Sequence, residues 1–245
     1  MFLFKNKKFQ VISIILFFVG LILIVLFVSN FNNKETQETD LSNKEPKGFI
    51  FLKIGENTTF SSDVRKQLRD TLGPDAIERW NTLDLNLNYK GFLKKYFPEL
   101  NEINEKLNSP LGERVEHNTI QLTYRYARKK DAPFDYVTLV FSNLTQKPLF
   151  FYIKSKRAGS DILEAIGEKY GEAKTIHWDD KSGRSLYWEK DRSILIISIS
   201  NDRYGHPEYQ IAIYYVPSLE ELVFTEQQKI RRQQEVIKKT GKTAF

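Results

Sequence analysis

Residues 119–127 read TIQLTYRYA, and their alternation decides how the second half of the chain folds. Ile120, Leu122, Tyr124 and Tyr126 fall on every second position, with Gln121, Thr123 and Arg125 between them. A period of two places alternate side chains on opposite faces of an extended backbone, so this is a half-buried strand. Phe134 to Ser142 repeats the pattern through Val137, Leu139 and Phe141. Leu149 to Lys154 is a third strand, and Asn143 to Pro148 supplies the turn before it. Connections this short predict an antiparallel meander.

Downstream the period changes and then returns. Ser160 is placed to cap an amphipathic helix carrying Ile162, Leu163, Ile166 and Tyr170, which Gly171 stops. Further strands are predicted near 175–178, 185–189, 193–200 and 209–216. Trp178 and Trp188 then lie on adjacent strands, where core packing is the default for large aromatics and lining a groove the alternative. Tyr214 and Tyr215 fall on opposite faces of the last strand, which leaves one of them open to exposure. Pro217-Ser218 ends that strand and can start a last helix, docked by Leu219, Leu222 and Val223.

Upstream, residues 49–54 read as a short strand. Val64, Leu68 and Leu72 have helical spacing behind an N-cap at Ser61 or Ser62, with Gly73 as the stop. Pro74 is placed to open a second short helix through Ile77 and Trp80. Phe92, Leu93, Tyr96, Phe97, Leu100, Ile103 and Leu107 form a helical stripe interrupted at Pro98 and closed by Asn108-Ser109-Pro110. The order strands, helix, strands predicts an α+β domain with a mainly antiparallel sheet, N-terminal helices, a C-terminal helix and one face covered by a helix.

Val11 to Val28 is an uncharged, apolar run of 18 residues. At about 1.5 Å per residue it is roughly as long as the hydrocarbon layer of a bilayer is thick, so a transmembrane helix is expected. The run is longer than the apolar region of a cleaved signal peptide, and Val28-Ser29-Asn30-Phe31 is a poor cleavage site. Lys5, Lys7 and Lys8 precede it, and only Lys34 is basic in the 15 residues after it. That asymmetry places the N-terminus in the cytoplasm and the rest outside. Four regions are expected: a cytoplasmic N-terminus and anchor at 1–29, a polar flexible tether at 30–47, an extracytoplasmic α+β domain at 48–224, and a basic, Gln-rich helix or tail at 225–245. The tether's reach is roughly 25 Å by flexible-chain scaling.

The net charge of +6 is confined to the ends. Residues 1–28 carry +3 and residues 225–245 carry +4, whereas 29–224 hold 28 basic and 29 acidic side chains. The near-neutral domain carries no net basic charge and no nucleic-acid motif, so no nucleic-acid partner is expected. The tail has Ile230, Val236 and Ile237 as its apolar side. It reads either as a solvated helix or as an attachment to anionic lipid or an acidic partner.

The chain has no Cys. Disulfides, thiolate metal sites, Cys nucleophiles, iron–sulfur clusters and N-terminal Cys lipidation are excluded. There is no Gly-rich phosphate loop, nucleophile elbow or HExxH, so neither catalytic residues nor a cofactor are indicated. Two constellations stand out. The meander would gather Arg128, Lys129, Lys130, Lys154, Lys156 and Arg157 on one rim, a candidate patch for an anionic partner or an edge protected against pairing. His177, Asp179 and Asp180 in one loop, with His206 and Glu208 in another, are candidate ligand residues if the loops meet; ordinary turns are the bland alternative. Asn57-Thr58-Thr59 and Asn143-Leu144-Thr145 match the glycosylation pattern. The residues together point to a single-pass, membrane-anchored, non-enzymatic interaction or scaffold module of the cell envelope with a protein partner. The alternative is a tethered small-ligand or metal-binding enzyme using the 177–180 and 201–208 loops.

Overall fold

A computed structural model describes residues 45–125, 133–155, 159–179 and 181–243. The expected membrane span, nearly all of the tether, and Arg128, Lys129, Lys130, Lys156, Arg157 and Asp180 lie outside the described residues. Among the described residues no helix is long and apolar enough to cross a membrane. The chain divides before Pro46, and the sheet belongs to the unit that begins there.

The elements are α1 (Ser62–Leu72), β1 (Ala76–Asn81), α2 (Phe92–Tyr96), α3 (Pro98–Leu107), β2 (His117–Arg125), β3 (Tyr136–Ser142), β4 (Pro148–Ser155), α4 (Gly159–Tyr170), β5 (Lys174–His177), β6 (Gly183–Lys190), β7 (Ser193–Asn201), β8 (Pro207–Tyr215) and α5 (Val216–Thr243). The described strands form one antiparallel sheet of eight, in the order β1-β2-β3-β4-β8-β7-β6-β5. Two meanders, β1–β4 and β5–β8, are joined by β4 beside β8, with Phe151 opposite Ile213. Helix α4 carries the chain from the centre of the sheet to its β5 edge. The α+β class and the antiparallel sheet therefore agree with the sequence reading.

The sheet is covered on both faces, not one. On the first face lie α2, α3, the start of α5 and an extended strap at 82–90. On the second lie α1, α4 and the residues from Phe49 to Phe60. The contiguous apolar runs of β7 and β8 follow from this, because a strand buried on both faces has no solvent side for polar residues. Along β7, Ile194 and Ile196 enter the first core while Leu195 and Ile197 enter the second. Tyr214 and Tyr215 are both fully buried, one in each core, so neither is exposed. Trp178 and Trp188 are also split between the cores and do not stack on each other.

Two local expectations fail for identifiable reasons. Residues 49–54 make a single bridge between Phe51 and Ile54 within a turn, not a strand. The segment after Pro74 forms strand β1 (Ala76–Asn81), not a helix. Gly73, at φ 92°, ends α1, and Asp75 is fastened to Arg65 at 2.6 Å with its side chain 2% exposed. Ala76 and Ile77 then pair with Thr123 and Leu122 along the sheet edge. The Ile77–Trp80 spacing imitates a helix because a bulge follows Arg79, where Trp80 takes φ 59°. By contrast α1 forms as expected: Ser61 Oγ accepts from the Val64 amide, and Leu68 and Leu72 are buried. Burial of each such leucine contributes about 1.5–3 kcal/mol.

The strap is held without strand partners. Leu83, Leu85 and Leu87 point onto the sheet while Asp84 and Asn86 face solvent. Buried peptide groups need partners. Here Asn104 Oδ1 accepts from the Leu85 amide at 2.8 Å, and Tyr214 OH donates to the Leu85 carbonyl at 2.9 Å.

Candidate functional site

The loops singled out from sequence share one end of the sheet. Gly183 at the start of β6 pairs with Ser200, and Asn201 with Pro207, so the β5–β6 and β7–β8 turns lie side by side. Their centres are about two strand spacings, or ~10 Å, apart. The side chains nevertheless have separate engagements. His177 is exposed, and Asp179 pairs with Lys95 on α2 at 2.7 Å. Asp202 Oδ1 accepts from the amides of Tyr204 and His206, forming its own turn, and His206 Nδ1 lies 3.7 Å from the same oxygen. Glu208 pairs with Lys154 at 2.7 Å, on the β4 side. Among the described residues no group of three His, Asp or Glu side chains could hold a metal ion.

Lys154 is the described member of the six-residue basic patch. Arg125, Tyr136, Lys154 and Gln210 are successive cross-strand partners, so the ends of β2, β3, β4 and β8 align at this rim. The same row continues through Ser198 and Ser185. There Trp178 Nε1 donates to Ser185 Oγ at 2.9 Å, Asn88 Nδ2 donates to it at 3.2 Å, and Ser185 and Ser198 share a hydrogen bond of 3.0 Å. Two rows further along, where Tyr152 pairs with Thr138 and Ala212, the Tyr152 phenol is pushed up to about 12 by burial, with Glu208 and Tyr136 adding to the effect. Both glycosylation-pattern asparagines are tied down: Asn57 accepts from the Lys47 amide, and Asn143 contacts Arg79 and Asn118.

Two clefts open elsewhere, and ion pairs occupy part of the charge in each. One of about 430 Å³ lies at the β6 edge between Lys169, Tyr170, Lys174 and Trp188; Lys174 is paired with Glu189 at 2.7 Å. The other, about 490 Å³, lies along α1, where Arg65 and Arg69 are directed to Asp75.

The last helix presents an exposed surface with a consistent pattern. Val216, Leu219, Leu222 and Val223 bury its first turns in the first core. Glu226 then reaches His117 at 2.7 Å, and Lys229 lies over the Trp80 ring at 5.8 Å. From Lys229 to Thr240 every residue is exposed. Ile230, Val236 and Ile237 are 53%, 62% and 71% exposed, and Trp80 beside the helix is 48% exposed. Val223, Ile230 and Ile237 recur at seven-residue spacing, so the stripe that docks the helix runs on past the edge of the domain. The apolar side of this segment was legible in sequence. Trp80 was not, because a bulged edge strand leaves no periodic mark.

No protein-family model matches the chain, and no curated protein or solved structure matches it significantly.

Proposed function

We propose that the protein is a single-pass membrane-anchored, extracytoplasmic and non-enzymatic interaction module of the cell envelope, and that helix α5 is its contact arm. The observation that carries this reading is the arm itself. Half of a 28-residue helix is fixed to the domain, while the following turns continue the same apolar stripe in full exposure. Monomeric proteins rarely keep a patterned apolar surface uncovered without a use for it. The cytoplasmic N-terminus and the external domain follow from the 11–28 span and its flanking lysines.

The test is photo-crosslinking in native membranes from residues 230 and 237 of the full-length protein. A discrete protein adduct, absent when the crosslinker sits at exposed Lys66 on the other side of the sheet, supports the reading. Equal or absent adducts from all three positions overturn it. Protease treatment of intact cells tests the topology: the domain is cut from outside if the orientation is right and protected if it is not.

A further inference from the structure

We infer that the arm receives an acidic amphipathic helix of a partner protein, seated in the corner between the exposed turns of α5 and Trp80 at the end of β1. The inference rests on the reading of α5 as the contact arm and adds the chemistry of what it contacts. Glu226 on His117 and Lys229 over Trp80 show which side of α5 faces the domain at its point of departure. Ile230 lies one turn beyond Glu226, and Ile237 two turns beyond Ile230, on that same side. The stripe therefore leaves the domain facing the flank that carries Trp80, and the two surfaces make a re-entrant corner.

Charge selects the occupant. Each residue advances about 100° around a helix. Arg231 and Lys238 therefore border one flank of the stripe, and Lys229 borders the other. Residues 227–240 hold five basic side chains, Lys229, Arg231, Arg232, Lys238 and Lys239, against the single acid Glu235. A second copy of the arm would set like charges against these flanks, which opposes pairing. A helix with apolar residues at seven-residue spacing and Glu on both flanks meets the isoleucines and the basic flanks together.

The probe is a synthetic amphipathic peptide of four heptads with Leu at the apolar positions and Glu on the flanks, tested beside a twin with Lys in place of Glu. Fluorescence anisotropy against the full-length protein in nanodiscs of neutral lipid should show saturable binding of the acidic peptide and at least tenfold weaker binding of the twin. Ile230→Ser with Ile237→Ser should weaken the acidic peptide tenfold or more, and Arg231→Glu with Lys238→Glu should transfer preference to the twin. Binding indifferent to the isoleucines, preference for vesicles of phosphatidylglycerol that the peptide does not displace, or self-association of the chain through the arm would each overturn the inference. A protein adduct from residues 230 and 237 that the acidic peptide fails to compete away sinks this inference but leaves the contact arm standing; the absence of any adduct sinks the arm.

Discussion

Nδ1 of His117 lies 2.7 Å from Oε2 of Glu226, and Nε2 of the same ring lies 2.8 Å from the carbonyl oxygen of Leu107. Two acceptors around one ring favour the form in which both nitrogens carry protons. The ring is 2% exposed, and burial by itself lowers its pKa. The hydrogen bond and charge of Glu226, with the Leu107 carbonyl, outweigh burial and raise it overall. The pair ties β2, the end of α3 and the root of the arm together.

A pH dependence of the arm's root follows. A His with a raised folded-state pKa contributes stability that is fully present below its unfolded value, about 6.5, and is lost as pH rises through the folded value. Melting temperature should fall as pH is raised through that window, and hydrogen exchange at residues 222–228 should quicken with it. Glu226→Gln should remove most of this pH dependence and cost about 1–3 kcal/mol, since the ring loses its charged partner. A melting profile as steep as that of the parent protein would show that another group is responsible.

Tyr214 and Tyr215 are neighbours in sequence whose hydroxyls fasten different layers. Tyr214 OH donates to Leu85 O in the strap, and Tyr215 OH donates to Phe49 O at 3.0 Å in the opposite layer. Removing either hydroxyl leaves a buried carbonyl short of a donor, at about 1–3 kcal/mol. Limited proteolysis separates the two. Tyr214→Phe should expose 82–90 to cleavage and spare 46–56, and Tyr215→Phe should do the reverse. Identical cleavage patterns would refute the division of labour.

Gly183 marks where the second meander closes on itself. A Cβ there would stand 2.5 Å from the carbonyl oxygen of Ile199 and 2.6 Å from the Trp178 ring. Backbone on one side and a buried indole on the other cannot both yield cheaply. Gly183→Ala should destabilise by about 1–3 kcal/mol, the usual range for overpacking. It should also disturb the Trp178 contact with Ser185, seen as a change in near-ultraviolet circular dichroism. An unchanged spectrum and melting point would mean that the turn relaxes freely.

These tests fall on features that the sequence showed unevenly. The strands from 119 onward were legible because apolar–polar alternation in β-branched and aromatic residues marks a half-buried extended backbone. The ILIISI run in β7 and the IAIYY run in β8 carried the further message of two covered faces, which an expectation of one polar face hid. The strap sequence LDLNLN also alternates, but it lacks β-branched residues and forms no ladder, so its order appears only once Asn104 and Tyr214 are seen to satisfy Leu85. Whether the two ligand loops meet was left open by the sequence, and their adjacency appears only in the pairing of β6 with β7 and of β7 with β8. Their side chains could not be assigned, because Lys95 and Lys154, which engage Asp179 and Glu208, come from other elements. In the arm, Ile230, Val236 and Ile237 were visible as a stripe, while the His117 and Trp80 contacts that orient it depend on tertiary folding.

If the outer turns of α5 serve contact and not stability, the domain should be indifferent to their loss. One contact of this segment with the domain is Lys229 over Trp80, and an exposed cation–π pair is worth about 0.5–1 kcal/mol. The anchoring residues Val216, Leu219, Leu222 and Val223 and the Glu226–His117 pair all precede it. A chain ending at Gln228 should therefore unfold within about 1 kcal/mol of the full-length protein in urea, with an unchanged slope, because little surface is uncovered. Hydrogen exchange in β2 and α3 should be unaltered, while crosslinking to the partner should vanish. A loss of several kcal/mol, or faster exchange at 117–125, would instead make the outer turns part of the fold and withdraw the main ground for treating them as an arm.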